Sequence, residues 1–209
     1  MESGNSTDYL LMKQRENVRK LYDETASVYD EEFEQKADYQ VPEILQEIYQ
    51  ANGFISGSIL DIGCGTGKLN EYLDHHFDYT GIDLSEKMLE VARTRGAKTL
   101  SGPAEEVLKT LSDKSFDHVV ALSSLYFIED FANIICEMER IARHSFFITL
   151  ERFTPETIND MKKKGISLYN HSSSAIANPT KIFTNTFLWQ RPVQGEKIYG
   201  DIVFKKLEA

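Results

Sequence analysis

From Gly57 to Leu150 short apolar runs alternate with amphipathic stretches, and this alternation constrains the fold more than any other feature of the chain. Ser58 to Ile62, Tyr79 to Ile82, Lys98 to Leu100, Phe116 to Leu122 and Ser145 to Leu150 read as strands. Between them, Lys68 to His75 and Ser85 to Thr94 read as helices, with Ser85 as the cap of the second. Ala104, Val107, Leu108 and Leu111 mark one helical face, and Phe131, Ile134, Ile135, Met138, Ile141 and Ala142 mark another behind Asp130. Strands separated by helices imply a parallel sheet covered on both faces.

The flanks differ in texture. Val41, Ile44, Leu45, Ile48 and Tyr49 fall on one face of a helix, so residues 1–55 read as a helical cap. Thr154 and Pro155 open a helix that ends at Gly165, where Lys162 to Lys164 meet the negative end of its dipole. Ser172 to Pro179 reads as an exposed loop. Lys181 to Gln190 and Lys197 to Lys206, separated by the turn-prone Pro192 to Gly195, read as an antiparallel pair closing one sheet edge. The expectation is one α/β domain over residues 1–209: a cap (1–55), a core (56–150), and a helix, loop and hairpin (151–209). Its sheet is mostly parallel and seven-stranded, with helices on both faces.

A composition of 41% hydrophobic and 27% charged residues suits a globular chain. The formal charge of −10 opposes the basic footprint of a nucleic-acid binder. No apolar run approaches the roughly 20 residues that span a bilayer, and Met1 to Lys13 lacks the basic-then-apolar order of a signal peptide. Cys64 and Cys136 are too few for a disulfide framework and wrongly placed for zinc. These features lead us to expect a cytoplasmic protein with no metal centre, no membrane span and no nucleic-acid partner.

Chemistry concentrates in Asp61-Ile62-Gly63-Cys64-Gly65-Thr66-Gly67, where the first strand gives way to its helix. Glycines there permit a tight turn and close approach of a ligand, and ligands of open α/β sheets bind beyond the carboxyl ends of the strands. The carboxylate of Asp61 would repel a pyrophosphate but suits a ligand with a cationic group. Asp83, 20 residues after Gly63, ends the second strand, where an acid can accept hydrogen bonds from ribose hydroxyls.

The pair of D-I-G-C-G-T-G and G-I-D-L-S-E-K-M-L resembles the class I S-adenosylmethionine-dependent methyltransferases, and the resemblance extends from about Tyr22 to Leu150. It implies a Rossmann-like methyltransferase fold and S-adenosyl-L-methionine as cofactor. Gly63, Cys64, Gly65 and Gly67 would wrap its methionine part, with Asp61 near the amino group. Asp83 would hold the ribose, Leu84 and Met88 would lie near the adenine, and Ala104 and Glu105 would match the third contact region. Leu122 would flank the sulfonium, and Tyr22 and Tyr29 would close the site, a tyrosine face being favourable near a cation. Two departures stand out. Pro103 replaces an acid that many members direct at the adenine, and Ala142-Arg143-His144-Ser145 replaces a Lys/Arg-Pro-Gly-Gly turn.

The implied function is methyl transfer to nitrogen or oxygen of a small-molecule acceptor. Tyr126, Glu151 and His171 are the candidate bases by location, although an acceptor already deprotonated needs none. Phe33, Tyr39, Tyr126, Phe153 and Tyr169 are candidates for an apolar acceptor pocket. Three other readings share parts of the pattern: an RNA or protein methyltransferase, a nicotinamide-dependent dehydrogenase, and a module that binds the cofactor without turnover.

Overall fold

The computed structural model describes residues 4–34, 41–73, 76–190 and 197–208. Tyr39 and the turn at Pro192 to Gly195 lie outside these residues, as does the side chain of Phe33. Three helices open the chain: α1 (Gly4–Thr25), α2 (Tyr29–Glu34) and α3 (Val41–Ala51). The alternating region follows as β1 (Gly57–Ile62), α4 (Leu69–Tyr72), β2 (Phe77–Asp83), α5 (Glu86–Thr94), β3 (Lys98–Ser101), α6 (Ala104–Thr110), β4 (Phe116–Ala121), α7 (Phe131–Ile141) and β5 (Ala142–Arg152). α8 (Pro155–Lys163), β6 (Lys181–Gln190) and β7 (Lys197–Lys206) complete it.

The seven strands form one sheet in the order β3-β2-β1-β4-β5-β7-β6. β1 to β5 run parallel, while β7 pairs antiparallel with both β5 and β6. Ile59, Val120 and Phe147 turn to one face, against Val41, Leu45, Ile48 and Tyr49 of α3. Leu60, Ile62, Val119 and Phe146 turn to the other, against Leu108 of α6 and the Ile134–Met138–Ile141 stripe of α7. Burial on both faces explains why the central strands read as continuous apolar runs.

The expected caps are in place. The Ser85 hydroxyl accepts from the Met88 N–H at 3.2 Å, Asp130 accepts from the Asn133 N–H at 3.2 Å, and Thr154 caps α8. α4 is shorter than the Lys68–His75 expectation, because Leu73 already has extended backbone. β5 is longer: α7 ends at Ile141 and the strand begins at Ala142, so the missing Pro-Gly-Gly turn leaves no connecting residues. The stretch Ser172 to Pro179 is largely exposed, as the loop reading expects, with local order in it. It contains a 3-10 turn at Ser173–Ala175, buries Ile176, and directs the Ser173 hydroxyl to Asp201 Oδ2 at 2.7 Å.

Candidate active site

At the carboxyl ends of β1, β2 and β4 a cavity opens beneath α1. Asp61, Gly63, Cys64, Gly65, Asp83 and Ser123 are among the residues that line its floor. The glycine loop is folded onto β2 by its own backbone: the Gly63 and Cys64 N–H groups donate to the Ile82 carbonyl at 2.8 and 2.9 Å. Gly63 has φ +73°, and a Cβ there would sit 2.3 Å from the Ser124 Cβ, so only glycine fits. A Cβ at Gly65, by contrast, would meet nothing within 4 Å. This loop backbone therefore leaves room for a ligand to lie close.

Two buried acids define the polar end. Asp83 accepts the Gly65 N–H on Oδ2 at 2.9 Å and the Ser85 N–H on Oδ1 at 2.8 Å, tying the loop to the start of α5. Burial raises its pKa, and those amide bonds pull it back. Asp61 is 3% exposed; its Oδ2 accepts from the Tyr79 hydroxyl at 2.5 Å, while its Oδ1 is buried with no partner. Burial pushes the carboxyl up to about 7, against the lowering effect of the Tyr79 bond, and Asp83 adds repulsion. A buried carboxylate oxygen without a partner is costly unless a cation or donor meets it.

The roof comes from the N-terminal helices. Leu11, Gln14, Arg15, Val18 and Tyr22 of α1 and Tyr29 and Asp30 of α2 complete the cavity wall. Tyr22 packs edge-on against Tyr29 and Phe127, with centroids 6.0 and 5.9 Å away. Polar clasps hold this roof to the floor. The Ser85 hydroxyl donates to Asp23 at 2.6 Å, the Thr66 hydroxyl donates to Asp30 at 2.7 Å, and Arg95 pairs with Asp30. Gln14 Nε2 donates to the Phe127 carbonyl at 3.0 Å, and Arg15 reaches Glu105 at 3.4 Å.

Of the residues expected at the site, Tyr22, Tyr29, Asp61, Gly63, Cys64, Gly65, Asp83, Leu84, Ala104, Glu105 and Leu122 line the cavity together with Pro103. Gly67 and Met88 do not. A Cβ at Gly67 would press on Ala92 at 2.9 Å, so this glycine serves the packing of α5, and Met88 is wholly buried. Tyr126 and Glu151 stand behind the lining, 8% and 1% exposed. Burial raises both pKa values, so the Tyr126 hydroxyl stays protonated. Glu151 Oε1 accepts from Thr149 at 2.8 Å. Glu151 Oε2 and the Ser123 hydroxyl form no well-aligned hydrogen bond, although the hydroxyl is near enough to favour the ionised carboxyl.

His171 is turned elsewhere. Its ring lies flat on Phe131, 4.4 Å between centroids, and Nε2 contacts the Ile128 carbonyl at 2.9 Å. Tyr126 and Phe153 pack together at 4.9 Å, but neither lines the cavity, and nor does Tyr169. Sequence reading missed Tyr79 and Arg15. Only Tyr79 carried a usable signal: it shares a strand face with Gly81 and Asp83, and β1 pairs Asp61 with Gly81.

Comparison with known proteins agrees with this geometry. The family model described as "Methyltransferase domain" matches residues 60–148. Malonyl-[acyl-carrier protein] O-methyltransferase of Bacillus anthracis is 26% identical over 156 residues, covering 72% of this chain and 55% of that protein. Ubiquinone biosynthesis O-methyltransferase of Hahella chejuensis is 29% identical over 147 residues, covering 65% and 61%. The chain thus spans less than two thirds of these relatives. Magnesium protoporphyrin IX methyltransferase from Synechocystis PCC 6803, solved with bound SAH, shares the fold at a TM-score of 0.57 and 20% identity, over 79% of this chain and 82% of that one. The sheet order, with β7 inserted antiparallel between β5 and β6, departs from the 3-2-1-4-5-6 order of dinucleotide-binding folds. Residues 60–148 therefore match a methyltransferase domain, set in a fold shared with solved methyltransferases.

Proposed function

We propose that this chain transfers the methyl group of S-adenosyl-L-methionine to an oxygen or nitrogen of a small-molecule acceptor. The observation that carries the proposal is the buried, unpartnered Oδ1 of Asp61 on the floor of a roofed cavity whose glycine loop leaves a Cβ-sized opening at Gly65. Asp61 would take the cofactor's ammonium, and the free lone pairs of Asp83 its ribose hydroxyls. Leu84, Pro103 and Ala104 would enclose the adenine, with Glu105 held to one side by Arg15. Tyr22 and Tyr29 would present ring density toward the sulfonium.

The cofactor supplies an already electrophilic methyl group, so the protein's task is alignment and exclusion of water. Holding the acceptor in line can contribute about 7–11 kcal/mol in favourable cases. Ser123, Ser124, Phe127 and Ile128 line the cavity near the end of β4 and would seat the acceptor there. Where the acceptor must lose a proton, Glu151 is the base we favour, because His171 is spent on carbonyls and Tyr126 holds its own proton. Oxygen is the favoured target, since both relatives are O-methyltransferases by name. A cytoplasmic location is part of this proposal; among the described residues no helix is long and apolar enough to cross a membrane. We also propose that residues 1–55 are a cap, 56–150 the cofactor-binding core and 151–209 the closing unit of one domain.

The test is release of S-adenosylhomocysteine from methyl-labelled cofactor across a panel of carboxylic acids, phenols and amines. Label appearing in one acceptor class, in step with S-adenosylhomocysteine release, supports the proposal. Label appearing only in RNA or protein would replace it with a macromolecular acceptor. Cofactor binding without turnover on any acceptor would favour a non-catalytic role.

A further inference from the structure

We propose that Tyr79 is a positioning residue for the cofactor: through its hydrogen bond it favours the ionised form of Asp61 and turns it so that the second carboxylate oxygen meets the cofactor's ammonium. The inference rests on the reading that Asp61 makes that contact, and it adds a role that the glycine loop does not supply.

The geometry is specific. The Tyr79 hydroxyl donates to Asp61 Oδ2 at 2.5 Å, and Tyr79 is 4% exposed. Asp61 lines the cavity, and its Oδ1 is buried with no partner. The groups facing Asp61 are Tyr79 and Asp83 from β2, Cys64 from the glycine loop and Tyr49 from α3. None of them carries a positive charge. A buried carboxylate among acidic and neutral neighbours holds its charge poorly, and hydrogen bonding to the charged form is what favours it. Tyr79 is the side chain that donates that bond. It reaches Asp61 because β1 and β2 are parallel and in register, with Ile59 opposite Tyr79 and Asp61 opposite Gly81. Gly81 leaves the intervening space to Cys64: a Cβ there would lie 2.4 Å from the Cys64 Sγ.

The consequence is proton-linked cofactor binding. Burial holds the free Asp61 carboxyl near 7, so at neutral pH a share of the ligand-free protein carries a proton there. That proton must leave when a cation binds. Affinity should therefore fall as pH drops below about 7, approaching tenfold per pH unit. Tyr79→Phe removes the bond while keeping the ring, which raises the midpoint by about one pH unit or more.

The experiment is isothermal titration of wild type, Tyr79→Phe and Asp61→Asn with S-adenosylhomocysteine from pH 5.5 to 8, in two buffers of different ionisation enthalpy at each pH. The inference expects wild type to release protons on binding below neutrality and Tyr79→Phe to bind about tenfold more weakly at pH 6.5, with its midpoint shifted upward. Asp61→Asn should bind weakly at every pH without that slope. A purely structural Tyr79 would lower affinity equally at all pH values and leave the midpoint fixed, which overturns the inference while Asp61 keeps its role. Unimpaired binding by Asp61→Asn would instead remove the underlying reading.

Discussion

Asp83 has two tasks, because the carboxylate proposed for the ribose also accepts the amides of Gly65 and Ser85. Asp83→Asn, which keeps the shape but sets an NH₂ against one of those amides, should weaken S-adenosylhomocysteine binding at least tenfold and also lower the melting temperature. Calorimetry and a thermal melt check the two effects, and a loss of affinity with full stability would mean the loop does not depend on Asp83. Gly63 and Gly65 separate packing from binding. Gly63→Ala drives a Cβ into Ser124 and should destabilise the fold, whereas Gly65→Val projects into open space and should abolish binding at a stability cost of only about 1–2 kcal/mol for its positive φ. Much of this was legible in the residues, since strand-end acids and loop glycines state their backbone requirements locally. His171 was not, because its partners Phe131, Leu125 and Ile128 are brought to it by the fold.

Elements tell a similar story at longer range. Periodicity located α3, α5 and α7, because each buries one face of regular spacing, and short apolar runs located the strands. It could not show that α1 lies over the cavity, since the clasps join residues 36 and 62 apart in sequence: Thr66 to Asp30 and Ser85 to Asp23. Arg95 strengthens the first clasp by also donating to the Thr66 carbonyl at 2.6 Å and to Glu71 at 2.7 Å. Asp30→Ala should therefore loosen the roof without unfolding the sheet. Hydrogen exchange in α1 and α2 should rise, and S-adenosylhomocysteine should dissociate several-fold faster. Unchanged exchange and dissociation would show that the roof is held by packing alone.

For the whole molecule, the site costs stability. Asp61 has a folded pKa near 7, well above the ordinary carboxylate value, through burial. The unfolded chain therefore ionises it more readily, and its contribution to stability is lost as pH rises from the unfolded value through about 7. Asp61→Asn should melt several degrees higher than wild type at pH 8 in the absence of ligand, with the difference closing near pH 4. His118 acts in the opposite sense at the far end of the sheet: burial holds its pKa down to about 4, so the fold loses stability as pH falls below about 6.5 and the unfolded chain takes up the proton that the buried ring refuses. The same buried charge that weakens the empty protein is the one a cationic ligand would satisfy.

The most direct measurement is parallel calorimetric titration of the protein with S-adenosylmethionine, S-adenosylhomocysteine and NAD⁺. Binding of the first two at roughly micromolar affinity, with no heat from NAD⁺, is the predicted result. Binding of NAD⁺ alone would contradict the assignment of Asp61 and the glycine loop to a cationic, adenosine-bearing methyl donor.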